Sequence, residues 1–586
     1  MALFDLHSHF SFKPANSKRA DGGTAPDTDH WRERFKSKAD FSRFAAWADK
    51  DVVKSSQLNG EAALAGGFRV IVNGLYPLER GFTHRNFNRE LATLTGWDSA
   101  ELENVLERRE SYMHYLQREY DNLVAGMARN GADPNGKRYV VVNSYAELLV
   151  EHAKPNTLCI LNSVEGAHAF ADNILDNATP PQPMDVLGAE RRHIRRVGHN
   201  GAGPFDVYIA QMIANIDRLK STWAHTPLFV TLAHHYYNHL CGQAPSLTAA
   251  VAVLVPQDFR IDHETENRMV RYFDLGLRSW GKRVVAKLLN NTNSSGAAVR
   301  RILIDTKHMS PQSRADYYQI LDGLKQFQQL TLPIVVSHSA VSGRFNLLDT
   351  ITHNDSPTGD FDLRPGEADS TRYFYGGVIN LFDDEIQRVV DSDGIIGLMI
   401  DERRIMGREI PPEAGMNMDR FNFVARQNRA EMARWTDARN AHAWGEMDTP
   451  TYTARIAGIE QDMVPLLQEL RPAYLSVVLR QLFHIAALTN NRGWDHVALG
   501  TDYDGVINPI DVYRQSSDMR TLEHDLVQFW KDRQNDPDAA IRTLYTAQIP
   551  VGSTPELLVK KVLLENGMAF LKKYFHDGYL KNGVKG

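Results

Sequence analysis

Residues 302–308 read Ile-Leu-Ile-Asp-Thr-Lys-His, and residues 333–339 read Pro-Ile-Val-Val-Ser-His-Ser. Each is a short apolar run that breaks into a polar tip carrying a histidine. Neither alternates apolar with polar, which is how a strand buried on both faces reads in a parallel sheet covered by helices. The apolar parts are 302–304 and 332–336. Six more runs of this kind occur, at 2–6, 68–72, 158–161, 228–232, 394–400 and 496–499. Helical patterns lie between them, for example at 206–219, 313–329, 383–390 and 474–488. Eight strands alternating with helices predict an α/β fold, a (β/α)8 TIM-type barrel; a doubly wound open sheet is the competing arrangement.

The chain has 586 residues, more than a bare barrel needs. We read 1–586 as a single barrel with large, mostly helical insertions. They fall at about 80–140, 176–205, 242–298, 343–376, 403–465 and 507–553. Asp98 is expected to cap a long helix in the first of these. The insertions read either as surface decoration and a contact between copies of the chain, which would make a homo-oligomer, or as lids over the barrel mouth. No repeat or low-complexity tract is present.

Hydrophobic residues make up 43% and charged residues 24%, an ordinary globular composition that excludes disordered and fibrous classes. The net charge of −6 leaves no electrostatic footprint for nucleic acid. No apolar run approaches the roughly 18 residues a membrane span requires. The opening MALFDLHSHF lacks a basic segment followed by an apolar one, so no secretory signal is expected. Two cysteines, Cys159 and Cys241, give neither a disulfide framework nor a thiolate metal cluster. The expected location is cytoplasmic.

The first run ends in Asp5-Leu6-His7-Ser8-His9. In a strand, residues i and i+2 point the same way, so His7 and His9 can hold one metal ion together. With 22 histidines, chance alone supplies about one such pair, so position at a strand end is what gives it weight. His308 and His338 end successive strands and reach the same rim. Either alone would be read as a satisfied core or loop histidine; as a pair they read as metal ligands. Glu165 follows another run and is placed to bridge two metals. Asp502, at the end of the last run, is a candidate acid/base beside a metal-bound water. His234 and His235 end the run at 228–232. His235 and His239 are spaced as in a thermolysin-type site, but Tyr236 stands where that signature needs Glu. The chain has no phosphate-binding P-loop and no serine nucleophile elbow. An all-N/O donor set suits zinc or manganese.

The order of these motifs resembles the membrane (renal) dipeptidase family of the amidohydrolase superfamily. The matching blocks are DLHSHF at 5–10, SVEGAHAF at 163–170, FVTLAHHYYN at 229–238, ILIDTKHMS at 302–310, PIVVSHSA at 333–340 and HVALGTDYDG at 496–505. Weaker matches are NLFDDEI at 380–386 and the terminal helix around 557–574. The resemblance implies a zinc-dependent hydrolase of dipeptides with two divalent metal ions and a small peptide or amide substrate. By motif, His7 and His9 would bind one metal, Glu165 would bridge both, and His308 and His338 would bind the second. A metal-bridging hydroxide would attack the amide, Asp502 would pass its proton to the leaving amine, and His234 would contact the scissile carbonyl. Arg344 would grip the substrate carboxylate, with Arg372 as its rival.

The chain departs from the family in two ways. The first strand carries H-x-H instead of H-x-D, and an insertion breaks the spacing between Arg344 and Asn380. Other amidohydrolase reactions use the same centre, such as N-acyl amino acid deacylation, lactone hydrolysis or phosphoester hydrolysis. A non-catalytic binding protein on the same barrel is the remaining alternative.

Overall fold

The computed structural model describes residues 2–16, 29–31, 56–83, 99–107, 109–128, 136–172, 204–246, 260–263, 268–271, 275–348, 371–443, 445–583 and 585. Asp98 lies outside them, as do most of the insertions at 176–205 and 343–376.

The strands, in chain order, are β1 Leu3–Ser8, β2 Phe68–Leu75, β3 Arg138–Val141, β4 Thr157–Glu165, β5 Phe229–Thr231, β6 Arg260–His263, β7 Arg268–Arg271, β8 Leu303–Asp305, β9 Val335–Ser339, β10 Ile395–Leu398 and β11 Val497–Leu499. Eight of them close a parallel barrel in the order β2, β1, β11, β10, β9, β8, β5, β4, with β4 returning to pair with β2. Closure runs from Val70 opposite Cys159 to Leu75 opposite Val164. All eight are the apolar runs of the sequence, and every residue of β1 and β4 is buried. That double-sided burial explains why no alternation marks them. The arrangement is the (β/α)8 barrel, not an open sheet.

Two features were not visible as apolar runs. β3 pairs with the first half of β4, Arg138 opposite Thr157, and its residues alternate between buried and half-buried. β6 and β7 form a separate antiparallel hairpin.

Helices sheathe the barrel. The helix Pro204–Thr222 precedes β5, Pro311–Gln328 follows β8, and Asp383–Asp391 precedes β10. At the N-terminal end, the helix Asn566–Tyr574 packs against β1. A Cβ at Gly567 would come within 2.2 Å of the Phe4 ring, so only glycine permits that approach. Asn566 Nδ2 donates to the carbonyls of Trp494 and Val497 at 2.8 and 2.7 Å, which ties this helix to the entrance of β11.

The insertion after β10 is a helical hairpin, Met418–Ala443 with Thr449–Leu488. It has a small core of its own, formed by Ala438, Ile459 and Met463. Its root is fastened by Arg480, whose guanidinium donates to both oxygens of Glu413 at 2.6 and 2.8 Å. No described helix is long and apolar enough to cross a membrane. Cys159 and Cys241 are buried free thiols.

Candidate active site

The strand ends are locked to one another by buried carboxylates that the sequence reading passed over. Asp5 on β1 accepts from the backbone N–H and the hydroxyl of Thr501 at 2.9 and 2.6 Å. This fixes the exit of β11 beside His7. Asp305 on β8 does the same for its neighbours. One oxygen accepts from the Ser337 and Lys307 backbone N–H groups, the other from the hydroxyls of Thr231 and Ser337 at 2.7 and 2.6 Å. Burial raises the Asp5 carboxyl to about 6 despite its bonds to Thr501. Backbone bonds complete the rim: Asp502 N donates to His7 O, and His9 N to Tyr503 O, both at 2.9 Å. His308 and Asp502 hold left-handed backbone, φ 65° and 58°, just beyond their strands. Non-glycine residues adopt this conformation rarely.

These restraints gather six of the sequence candidates into one buried cluster. Glu165, the last residue of β4, is its centre. Its Oε2 lies 2.9 Å from His9 Nε2. Its Oε1 lies 3.4 Å from His7 Nε2, 3.6 Å from His308 Nε2 and 3.7 Å from His338 Nε2. Asp502 completes the group, with Oδ1 at 3.4 Å from His9 Nε2 and 3.7 Å from His7 Nε2, and Oδ2 at 3.8 Å from His338 Nε2. Gly74 makes room for the first pair: a Cβ there would stand 2.9 Å from the His7 ring and 3.2 Å from that of His9. His9 Nδ1 faces the Gly74 carbonyl at 3.0 Å, which assigns its proton to Nδ1 and leaves Nε2 as the ligating nitrogen.

Several of these atoms are buried without hydrogen bonds, among them His7 Nε2, Glu165 Oε1 and Asp502 Oδ1. Buried polar atoms are normally satisfied, so this concentration needs an explanation. His308 Nε2 and His338 Nε2 face each other at 3.3 Å, two ring nitrogens converging on one point. These residues fit a divalent cation at each pair, which would give the buried nitrogens and the Glu165 carboxylate their missing partners. The sets His7, His9, Glu165 and Glu165, His308, His338 each bring their donor atoms within 4.8 Å of one another. Burial pushes His308 down to about 3 and His338 well below the usual imidazole value. Both are therefore in the neutral form that ligation requires. Burial opposes the Glu165 carboxylate, but His234, His7 and His9 outweigh it and hold the group well below its ordinary range.

His234 sits at the edge of this cluster, its Nε2 3.4 Å from Glu165 Oε2. Its Nδ1 meets Glu79 Oε2 at 2.7 Å. Glu79, after β2, also accepts from the Tyr236 N–H at 2.8 Å and the Tyr76 hydroxyl at 3.1 Å. Burial works against an imidazolium at His234, yet Glu165 and Glu79 together raise it above its ordinary value. Glu79 was not singled out from the sequence; a lone acid 155 residues from its partner carries no local signal. His235 bonds Ser246 Oγ through Nδ1 at 2.5 Å, and His234, His235 and His308 form a further group of convergent nitrogens.

One cavity opens onto the cluster. Its walls include Phe12, Tyr76, Phe82, Ile379 and Met399. Its cationic residues are Lys13, Lys307 and Arg404. Lys13 is paired with Asp504 at 2.7 Å. Burial, reinforced by Arg404, lowers the Lys307 amine to about 7; a carboxylate brought against it would restore the charge. Arg344 does not line this cavity. It is buried elsewhere, with its guanidinium 5.6 Å from the centre of the Phe382 ring. Arg372 is half-exposed and pairs with Glu409 at 3.5 Å.

No family model matches the chain, and no curated protein matches it. Solved structures do resemble it. One is a dipeptidase AC described as a metallopeptidase of family M19, with 13% identity, 98% of this chain and 99% of that one covered, and a TM-score of 0.42. Another is a metallopeptidase from Rhodobacter sphaeroides bound to a phosphinate mimic of the dipeptide L-Ala-D-Ala, with 14% identity, 98% and 99% covered, and a TM-score of 0.43. A third is the probable dipeptidase PvdM from Pseudomonas aeruginosa, with 14% identity, 92% and 94% covered, and a TM-score of 0.39. At such identity these structures fix no residue correspondence, and the site stands on its own side chains.

Proposed function

We propose that this chain is a two-metal dipeptidase of the membrane dipeptidase kind, built as one barrel over its whole length and loaded with zinc. The observation that carries the reading is the position of Glu165, one carboxylate lying between the pair His7 and His9 and the pair His308 and His338. The all-N/O donors of these residues suit zinc. The buried free thiols suit a reducing, cytoplasmic setting.

Divalent ions held by Glu165 and these histidines would polarise a carbonyl and lower the pKa of a bound water. The protein's own groups do the rest. Asp502, with no hydrogen-bond partner at Oδ1, accepts the proton released by the attacking water and returns it to the leaving nitrogen. His234 donates from Nε2 to the oxygen of the scissile carbonyl, where negative charge develops. Glu79 holds the opposite ring nitrogen and so keeps Nε2 aimed at that oxygen. The aromatic walls Phe12, Tyr76 and Phe82 limit water around the reacting bond.

The test is release of free amino acids from L,L and L,D dipeptides by zinc-loaded protein, beside a panel of N-acyl amino acids. Chelator-sensitive cleavage of dipeptides is expected. Cleavage of N-acyl amino acids alone, or cleavage unaffected by chelator, would overturn the dipeptidase assignment.

A further inference from the structure

Among the described residues, two of the cavity's cations form no ion pair with an acid. Lys307 is buried, with its amine 3.9 Å from the Met399 sulfur. Arg404 is buried too; its guanidinium donates to the Ser246 carbonyl and lies 5.4 Å from the centre of the Tyr375 ring. Asp401, which faces both, is already engaged by Arg403 through both its oxygens, at 3.0 and 2.9 Å. Lys13, by contrast, is balanced by Asp504. Asp502, Asp305 and Asp401 act on the Lys307 amine from a distance, and among the described residues no carboxylate forms an ion pair with Lys307 or Arg404. Buried charges are ordinarily paired, because removal from water is costly. Here the unpaired heads face the cavity that contains Glu165, His308 and Asp502.

We propose that Arg404 and Lys307 form an anion subsite for two carboxylates, which makes the preferred substrate an amide whose leaving residue is an acidic amino acid. The inference rests on the metallohydrolase reading above. A dipeptide's free carboxylate is always on the leaving residue, and a glutamate or aspartate there supplies the second. A guanidinium binds a carboxylate through two parallel N–H groups, whereas an ammonium acts as a point charge. Ile379 and Met399, in the same wall, suit the short aliphatic spacer between two such carboxylates. Arg404 owes its place to the insertion after β10. Asp401 caps the short helix Glu402–Ile405 by accepting from the Arg403 N–H, and Asn380 Nδ2 donates to the Arg404 carbonyl at 2.7 Å. The insertion thereby delivers a charge that Arg344, away from the cavity, does not.

The experiment uses the full zinc-loaded chain and has two readouts. The first is calorimetric binding of glutarate against butyrate, which share one carboxylate and differ by the second. Glutarate is expected to bind at least tenfold more tightly. That ratio should fall below threefold in Arg404→Met and in Lys307→Met, and should be partly kept in Arg404→Lys, with melting curves showing that each variant is folded. The second readout is kcat/KM for Ala-Glu against Ala-Gln, expected to favour Ala-Glu at least tenfold in the wild type. Equal binding of glutarate and butyrate, or equal kcat/KM for Ala-Glu and Ala-Gln, overturns the subsite. If no dipeptide is cleaved while the glutarate preference and its loss in the variants hold, the dipeptidase reading fails and the anion subsite stands.

Discussion

Replacing Glu79 by Gln tests whether a residue that touches no proposed ligand sets the working form of His234. The carboxylate takes three good hydrogen bonds, from His234 Nδ1 at 2.7 Å, Tyr236 N at 2.8 Å and the Tyr76 hydroxyl at 3.1 Å. Glutamine has a single acceptor oxygen, so its NH2 group must face at least one buried donor. One unsatisfied donor costs about 1–3 kcal/mol, and exchanging a charge-assisted bond to His234 for a neutral one adds about 1 kcal/mol. The variant should therefore lose about 3 kcal/mol of stability in urea denaturation. Burial opposes an imidazolium at His234, and Glu165 and Glu79 are what raise its pKa. Removing one of those charges lowers that pKa, so the alkaline limb of the kcat profile should move to lower pH. Turnover on a dipeptide should drop roughly 10- to 100-fold while the metal content stays unchanged. Wild-type stability together with an unshifted kcat profile would refute the assignment of Glu79 as the residue that positions His234.

Three further outcomes follow from the packing. Lys220 is buried and donates to the carbonyls of Lys287, Leu288 and Asn290, each at 2.8 Å, at the end of the helix Ser279–Leu289; Lys220→Met should cost about 3 kcal/mol in chemical denaturation. Glu119 is buried beside the Ser11 hydroxyl and the Tyr76 N–H, and burial raises it to about 7 from 4.5. Its folded pKa lies above the unfolded one, so in the chelator-treated protein Glu119 should contribute a loss of about 3 kcal/mol as pH rises from about 4.5 to 7, a contribution that Glu119→Gln should remove from the pH profile. A Cβ at Gly397 would stand 1.8 Å from the Ser337 carbonyl oxygen, so Gly397→Ala should force β10 from β9 and yield mostly insoluble protein; a soluble variant with full metal content would contradict the tight register of these strands.

The barrel was legible because its strands are buried on both faces and therefore stand out as uninterrupted apolar runs. β3 escaped notice because it packs outside the barrel and alternates like an ordinary half-buried strand. The metal-ligand candidates were legible for a related reason: each lies at or just past the C-terminal end of such a run, where this fold builds its sites. What supports them was not. Asp5 and Asp305 lie two and three residues before a candidate histidine, a spacing that could have marked them, but only barrel closure reveals that they hold the neighbouring strands. Glu79 and His234 meet across 155 residues, and Arg404 enters from the root of an insertion. Such pairings depend on tertiary geometry that no local pattern encodes. The attribution of carboxylate binding to Arg344 followed motif spacing, whereas in the fold that side chain packs over Phe382 and the cavity is lined by Arg404.

The most direct test of the central claim, a two-metal centre bridged by Glu165, is elemental analysis of the purified, zinc-loaded chain beside Glu165→Ala, with dipeptide hydrolysis measured on the same samples. Two metal ions per wild-type chain are expected, with one or none in the variant and no turnover. Wild-type protein that binds no stoichiometric metal, or a Glu165→Ala variant that keeps both ions and full activity, would contradict it.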